Sequence, residues 1–210
     1  MTDTVKFTRM ADGDRDDYLF LERHEREAAL HVGDRLIDAL RLLDNVDSAY
    51  RVSRYQHSIQ AATRAWRDGA DTDWVVAALL HDVGDLYAPY NHDEYAASIL
   101  RPYLRDQCTW VIANHGLFQR YYYAHHFGGN REVRRRHESH PYYDDAILFC
   151  ERWDQASFDP DYESLPIDFF RPLVAEVFGR DPYTPQVISA GVRVPLVDRV
   201  VAERRAAGLD

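Results

Sequence analysis

The sequence predicts an all-α fold. Three observations carry that expectation. Apolar residues recur at helical spacing in one segment after another, alternating strand patterns are scarce, and glycine or proline stands where most of the helical patterns stop. With 210 residues, 46% of them hydrophobic, the chain suits one medium domain with a real core. A compact helical bundle is the expected architecture.

Residues 1–20 are polar and Asp-rich and are read as an arm, with a single domain over 21–210. Residues 21–43 carry one helical pattern in which Leu30, Leu36, Ile37, Leu40 and Leu43 fall near one face. From Val52 to Asp68 the pattern is helical again and stops at Gly69. There Tyr55, Ile59, Ala62 and Trp66 form one stripe, and His57, Ala61 and Ala65 lie on nearly the opposite side, so both sides are expected to be buried. Thr72 is the expected N-cap of the next helix, which runs through WVVAALLHD to Gly84 and carries His81 on the face of Trp74, Ala77 and Ala78. After Pro89 a helix starts near His92 and is interrupted by Pro102. Another starts at Asp106, with Cys108, Val111, Ile112 and His115 on one face and Gly116 as its expected cap. Residues 117–143 hold Tyr121–Tyr123, His125, His126 and Arg134–Arg136 and are read as a long lid loop. Asp144 to Ser157 is helical, with Ile147, Cys150 and Asp154 on one face. Two further helices, near 166–178 and 195–207, are each opened by a proline.

Composition narrows the function. The 35 acidic against 25 basic residues give a net charge of −10, which argues against a nucleic-acid or anionic-membrane partner. A small anionic substrate stays possible, because a bound metal reverses the local sign. The longest apolar run, Trp74 to Leu80, is far short of the roughly 20 residues that span a bilayer. The N-terminal segment has no apolar stretch of a secretory signal, and the two cysteines, Cys108 and Cys150, read as buried thiols of a reducing compartment, so a cytoplasmic protein is expected. The counts of 10 His and 14 Tyr are high.

Six of the histidines and aspartates lie in or beside apolar helical segments: His57, His81, Asp82, His92, His115 and Asp154. Unpaired polar groups in a core cost several kcal/mol, roughly 2–7 each, and a shared metal would satisfy them together. Adjacent helical residues point roughly 100° apart, so His81 and Asp82 do not easily serve one ion. They can straddle two, with Asp82 bridging. His57, His81, Asp82 and Asp154 would then hold one ion, and Asp82, His92 and His115 the other, which keeps more open positions. The set contains no thiolate, and its N and O ligands suit Fe, Mn, Zn, Co or Ni without choosing among them.

The pattern His57, His81-Asp82, Asp154 resembles the H…HD…D signature of the HD superfamily of helical metal enzymes. Within it, the segments YQHSIQAATRAWRDGADTDWVVAALLHDVG, NHDEYAASIL, NHGLFQRYYY and ERWDQASFDP are similar to the mixed-valent di-iron oxygenases, which include 2-amino-1-hydroxyethylphosphonate dioxygenase and, more remotely, myo-inositol oxygenase. The likeness spans about residues 50–160. It implies two irons, Fe(II)/Fe(III), on the same six ligands. It also implies an oxygenase that takes O2 and a small hydroxylated substrate, removes hydrogen from the carbinol carbon and cleaves a C–P or C–C bond. A metal-dependent phosphohydrolase acting on a phosphate ester or nucleotide is the alternative, since a catalytic metal lowers the pKa of bound water from 15.7 to about 7.

Three positions depart from the oxygenase pattern. Asp85 follows His81-Asp82-Val83-Gly84 where relatives carry a basic residue. Gln119 stands where the phosphonate-cleaving relatives place a lysine. Asp47 and Tyr50 stand in place of a lid tyrosine and glutamate. Asp82 and Asp85 are the candidate catalytic carboxylates, and Gln119 and Arg120 the candidate substrate contacts. Arg120 or Arg134–Arg136 could replace the missing cations.

Overall fold

The computed structural model describes residues 4–45 and 48–209, and these residues are helical without a strand, as the periodicity predicts. Asp47 lies outside the described residues. Ten α-helices follow in order: α1 (Arg15–Ala29), α2 (Val32–Leu42), α3 (Arg54–Arg67), α4 (Thr72–Leu80), α5 (His92–Leu100), α6 (Asp106–Tyr123), α7 (Tyr143–Phe149), α8 (Ile167–Phe178), α9 (Pro185–Ile188) and α10 (Arg199–Ala206). No helix among the described residues is long and apolar enough to cross a membrane.

The apolar α4 is the centre of the bundle. Trp74 through Leu80 are all completely buried, and α4 packs against α3, α6 and α8. A helix apolar all round belongs inside such a shell. Its N-cap is Asp71, which accepts from the Trp74 amide at 3.1 Å, and Thr72 is already the first helical residue. The expected Thr72 cap is thus one position late, because the carboxylate one residue earlier takes the free amide first. α3 opens with a reciprocal cap: Ser53 Oγ accepts from the Gln56 amide at 3.1 Å and Gln56 Oε1 from the Ser53 amide at 2.9 Å. It ends at Gly69, whose φ is +79° and whose missing Cβ lets the Asp198 carbonyl approach. There α10 docks, with Arg205 over the Trp66 ring at 3.4 Å.

The first helical pattern is two helices, not one. The chain breaks at Leu30–His31, leaving Leu30 63% exposed while Leu36, Ile37, Leu40 and Leu43 enter the core. α1 begins at Arg15, inside the segment read as an arm, and buries only Asp17. The segment read as a loop is also more ordered than expected. Gly116 is not a cap: α6 runs on to Tyr123, followed by 3₁₀ turns at Ala124–Phe127 and Arg131–His137. Gly116 instead gives room to α5, since a Cβ there would sit 3.0 Å from the Asp93 carboxylate. After α7 the helix loosens into a π-turn, Cys150–Asp154, with the Gln155 amide bonding the Cys150 carbonyl five residues back at 3.0 Å.

Candidate metal centre

α3, the turn after α4, α5, α6 and the π-turn each carry one or more of the six candidate ligands, and the fold brings all six together. His57, His81, Asp82, His115 and Asp154 are each at most 3% exposed, and the His92 side chain is 23% exposed. His57, His81 and Asp154 offer ligand atoms within 4.8 Å of one another, and so do His81, Asp82 and His115.

Local structure aims each side chain. α4 stops at Leu80, and the chain turns through a 3₁₀ segment, Val83–Leu86, that lets His81 and Asp82 face the same space. Gly84 makes this turn possible. A Cβ there would meet the His92 backbone at 2.4–2.9 Å, so the HDVG turn can press against the start of α5 only without a side chain. The π-turn does the same for Asp154, since an extra residue per turn swings it toward His57 and His81.

The imidazoles are held from behind. The Nδ1–H of His57 donates to the Ser157 carbonyl at 3.0 Å, that of His81 to Ala78 at 2.8 Å, and that of His115 to Ile112 at 2.7 Å. His92 Nδ1 faces Pro89 O at 3.4 Å and Asp85 Oδ1 at 3.3 Å. Every Nε2 lone pair is thereby turned inward, as in metal-binding histidines.

What faces inward is a set of acceptors. His57 Nε2 lies 3.1 Å from His81 Nε2 and 3.3 Å from Asp154 Oδ1, and His81 Nε2 lies 3.7 Å from the same oxygen. Asp82 Oδ1 is 3.2 Å from His115 Nε2, 3.4 Å from His92 Nε2 and 3.6 Å from His81 Nε2, while Asp82 Oδ2 is 3.4 Å from His57 Nε2. Asp154 Oδ2 is buried without a hydrogen-bond partner. Ligands about 2.1 Å from an ion stand about 3.0 Å apart at an octahedral edge and about 3.4 Å at a tetrahedral one. The observed separations are of that size. Neutral acceptors pressed together with an orphaned carboxylate oxygen fit a cation, and the cluster could hold metal ions.

Without an ion, protons must fill the role. Burial disfavours the His57 imidazolium, but the Asp154 hydrogen bond and the Asp82 charge outweigh it and raise its pKa. His81 and His115 are raised in the same way, against their burial, by the two carboxylates. Asp82 and Asp154 are held below the ordinary carboxylate range by the same imidazoles, although burial alone would push them up. Cys108 and Cys150 are buried and free, and burial holds both thiols well above their ordinary value, so neither supplies a thiolate.

One side of the cluster opens on a cavity of about 570 Å³ walled by Asp82, His92, His115 and Asp154 at the floor and by Tyr50, Arg54, Gln119, Tyr122, Tyr123, Phe127, Gln155 and Phe158. His57 and His81 are not among these wall residues; Phe158 stacks on His57 with ring centroids 4.3 Å apart. Gln119 is on the wall. Arg120 is exposed and off it, because it follows Gln119 by one residue on α6 and so points about 100° away. Arg134 is committed elsewhere, stacked on Tyr121 at 3.7 Å, and His125 and His126 are exposed and off the wall. Asp85 stands behind His92, off the wall. The guanidinium on the wall is that of Arg54, one turn before His57 on α3. Its Nη1 lies 3.3 Å from Asp82 Oδ2 and its Nε 3.0 Å from Asp85 Oδ2. The i, i+3 spacing to His57 puts both on one helix face, and that was the available signal for it.

The family model for the HD domain matches residues 54–150. This segment is similar to the HD domain, and the match covers just under half of the chain. It spans α3 to the start of the π-turn and contains five of the six clustered residues; Asp154 lies just beyond it. HD-domain proteins are generally metal-dependent enzymes, and the buried His/Asp cluster fits that character. No curated protein matches the chain.

Proposed function

We propose that this protein is an HD-domain, two-metal oxygenase that uses O2 to cleave a C–P or C–C bond of a small hydroxylated substrate. The observation that carries the reading is the asymmetry of the cluster. His57, His81 and Asp154 would form the more enclosed site, with Asp82 as the shared ligand and His57 and His81 off the cavity wall. Asp82, His92 and His115 face the cavity with fewer ligands, which leaves positions for substrate. When bound, the metal pair supplies the redox chemistry.

The protein's own groups bind and orient. Tyr50, Tyr122, Tyr123, Phe127 and Phe158 give the cavity aromatic walls around the floor. Burial lifts the Tyr122 phenol to about 12, so its hydroxyl stays protonated and can donate to a substrate oxygen at neutral pH. Gln119 adds a neutral amide with both donor and acceptor. The one guanidinium on the wall is already paired with two carboxylates, which suits a hydroxyl-bearing substrate better than a multiply charged phosphate ester.

A metal-dependent phosphohydrolase is the second reading, favoured by the HD domain itself. Oxygen-electrode assays on anaerobically purified protein, with hydroxy-phosphonates and polyols, separate the two. Oxygen uptake dependent on one of these compounds is expected. Turnover of phosphate esters with no oxygen uptake would overturn the oxygenase reading in favour of the hydrolase.

A further inference from the structure

We infer that Arg54 is a positioning residue for the metal cluster, acting on its open half through Asp85 and His92. The inference rests on the two-ion reading above. Arg54 pairs with two carboxylates at once: Nη1 donates to Asp82 Oδ2 at 3.3 Å, and Nε stands 3.0 Å from Asp85 Oδ2 as an ion pair without hydrogen-bond alignment. The rigid guanidinium fork can fix the relative orientation of both carboxylates, which a lysine ammonium cannot. The two aspartates are themselves tied across the 3₁₀ turn, with the Asp85 amide donating to the Asp82 carbonyl at 3.0 Å.

Each end of this chain controls something different. At Asp82, Arg54 is, among the described residues, the one non-imidazole side chain paired with the carboxylate that both ions would share. It meets Oδ2, which also faces His57 Nε2 at 3.4 Å, while Oδ1 is turned to His92 and His115 at 3.4 and 3.2 Å. At Asp85, the other oxygen faces His92 Nδ1 at 3.3 Å. His57, His81 and His115 are fixed by backbone carbonyls at 3.0, 2.8 and 2.7 Å, but the His92 carbonyl contact is 3.4 Å, at the edge of a hydrogen bond. His92 is therefore the imidazole whose aim depends most on a side chain, and that side chain is anchored by Arg54. Tyr50 steadies the guanidinium from the cavity side, 5.1 Å from its ring centre.

The test is Mn²⁺ titration of metal-free wild type, Arg54→Gln, Arg54→Lys and Asp85→Asn, with stepwise dissociation constants read by paramagnetic resonance and the fold checked by circular dichroism. Wild type is expected to take two ions. Arg54→Gln should weaken the second ion by about 10–100-fold and the first by clearly less, since the second loses both the Asp82 contact and the Asp85–His92 support. Arg54→Lys should restore part of the loss, and Asp85→Asn, which cuts the chain at its other end, should repeat the selective loss even if Arg54→Gln does not fold. A general loss of stability would not split the two constants in this way. Two ions bound equally well by wild type, Arg54→Gln and Asp85→Asn would overturn the role of Arg54 alone. Fewer than two ions in wild type would overturn the two-ion reading and this inference with it.

Discussion

The bundle buries two polar clusters, and they differ in what their atoms need. The first lies at the N-terminal ends of α4 and α6. Arg105 donates to both Asp71 oxygens at 2.8 and 3.0 Å, and its amide donates to Asp73 at 3.1 Å. Arg180 donates to the other Asp73 oxygen at 2.6 Å. Gln107 donates to Asp145 at 2.8 Å and Arg193 grips the same carboxylate. Donors and acceptors match there, so the cluster is complete as protein. The second, around Asp82, presents four imidazole lone pairs and two carboxylates to one another and leaves Asp154 Oδ2 without a partner. Burial and acidity are common to both. Only the balance of donors tells a structural network from a site built for a cation.

Substitutions break this comparison most sharply where a carboxylate is shared. Asp82→Ala should lose both ions and all metal-dependent activity, measured as metal per chain by mass spectrometry. Retention of two ions would remove Asp82 from the bridging position. Arg105→Ala should do the reverse. Asp73 keeps Arg180 and the residue-105 amide, and Asp71 is partly exposed, so the loss should cost about 1–3 kcal/mol in denaturant unfolding, while ion stoichiometry in the folded fraction stays at the wild-type value.

Smaller but more diagnostic is the pH dependence of the metal-free protein. Folding raises the pKa of His57, His81 and His115. Their stabilisation is complete below the unfolded value of about 6.5 and is lost as pH rises through the folded values. The lowered Asp82 and Asp154 act oppositely, present above about 3.9 and lost as pH falls. Metal-free protein should therefore melt highest between about pH 4 and 6.5 and weaken toward pH 8. Ions need the deprotonated rings, so the rise in Tm on adding metal should grow over that same upper range. Equal shifts at pH 5.5 and pH 8 would argue that the ions bind elsewhere.

Much of this centre was legible because its residues violate their surroundings. His57, His81 and His115 interrupt apolar helix faces at 3.6-residue spacing, and Asp154 does so in line with Cys150. Helical periodicity also placed α3, α5 and α8 with little error. Arg54 escaped notice because its i, i+3 relation to His57 is common on any helix, and its partner Asp85 sits on another element at no fixed sequence distance. The π-turn left no compositional mark, since any residue can be the extra one. Gly116 resembled a stop signal, but its role is to admit the Asp93 side chain beside α6, and that depends on where α5 packs. The break at Leu30–His31 carries no proline or glycine, so periodicity alone ran through it.

The central claim is that two cations sit on either side of the Asp82 carboxylate. An anomalous-difference map from crystals grown with iron or manganese tests it most directly. Two peaks are predicted, one among His57, His81 and Asp154 and one beside His92 and His115, both in contact with Asp82. A map with no peak among these side chains, or with density only at surface acids, would contradict it.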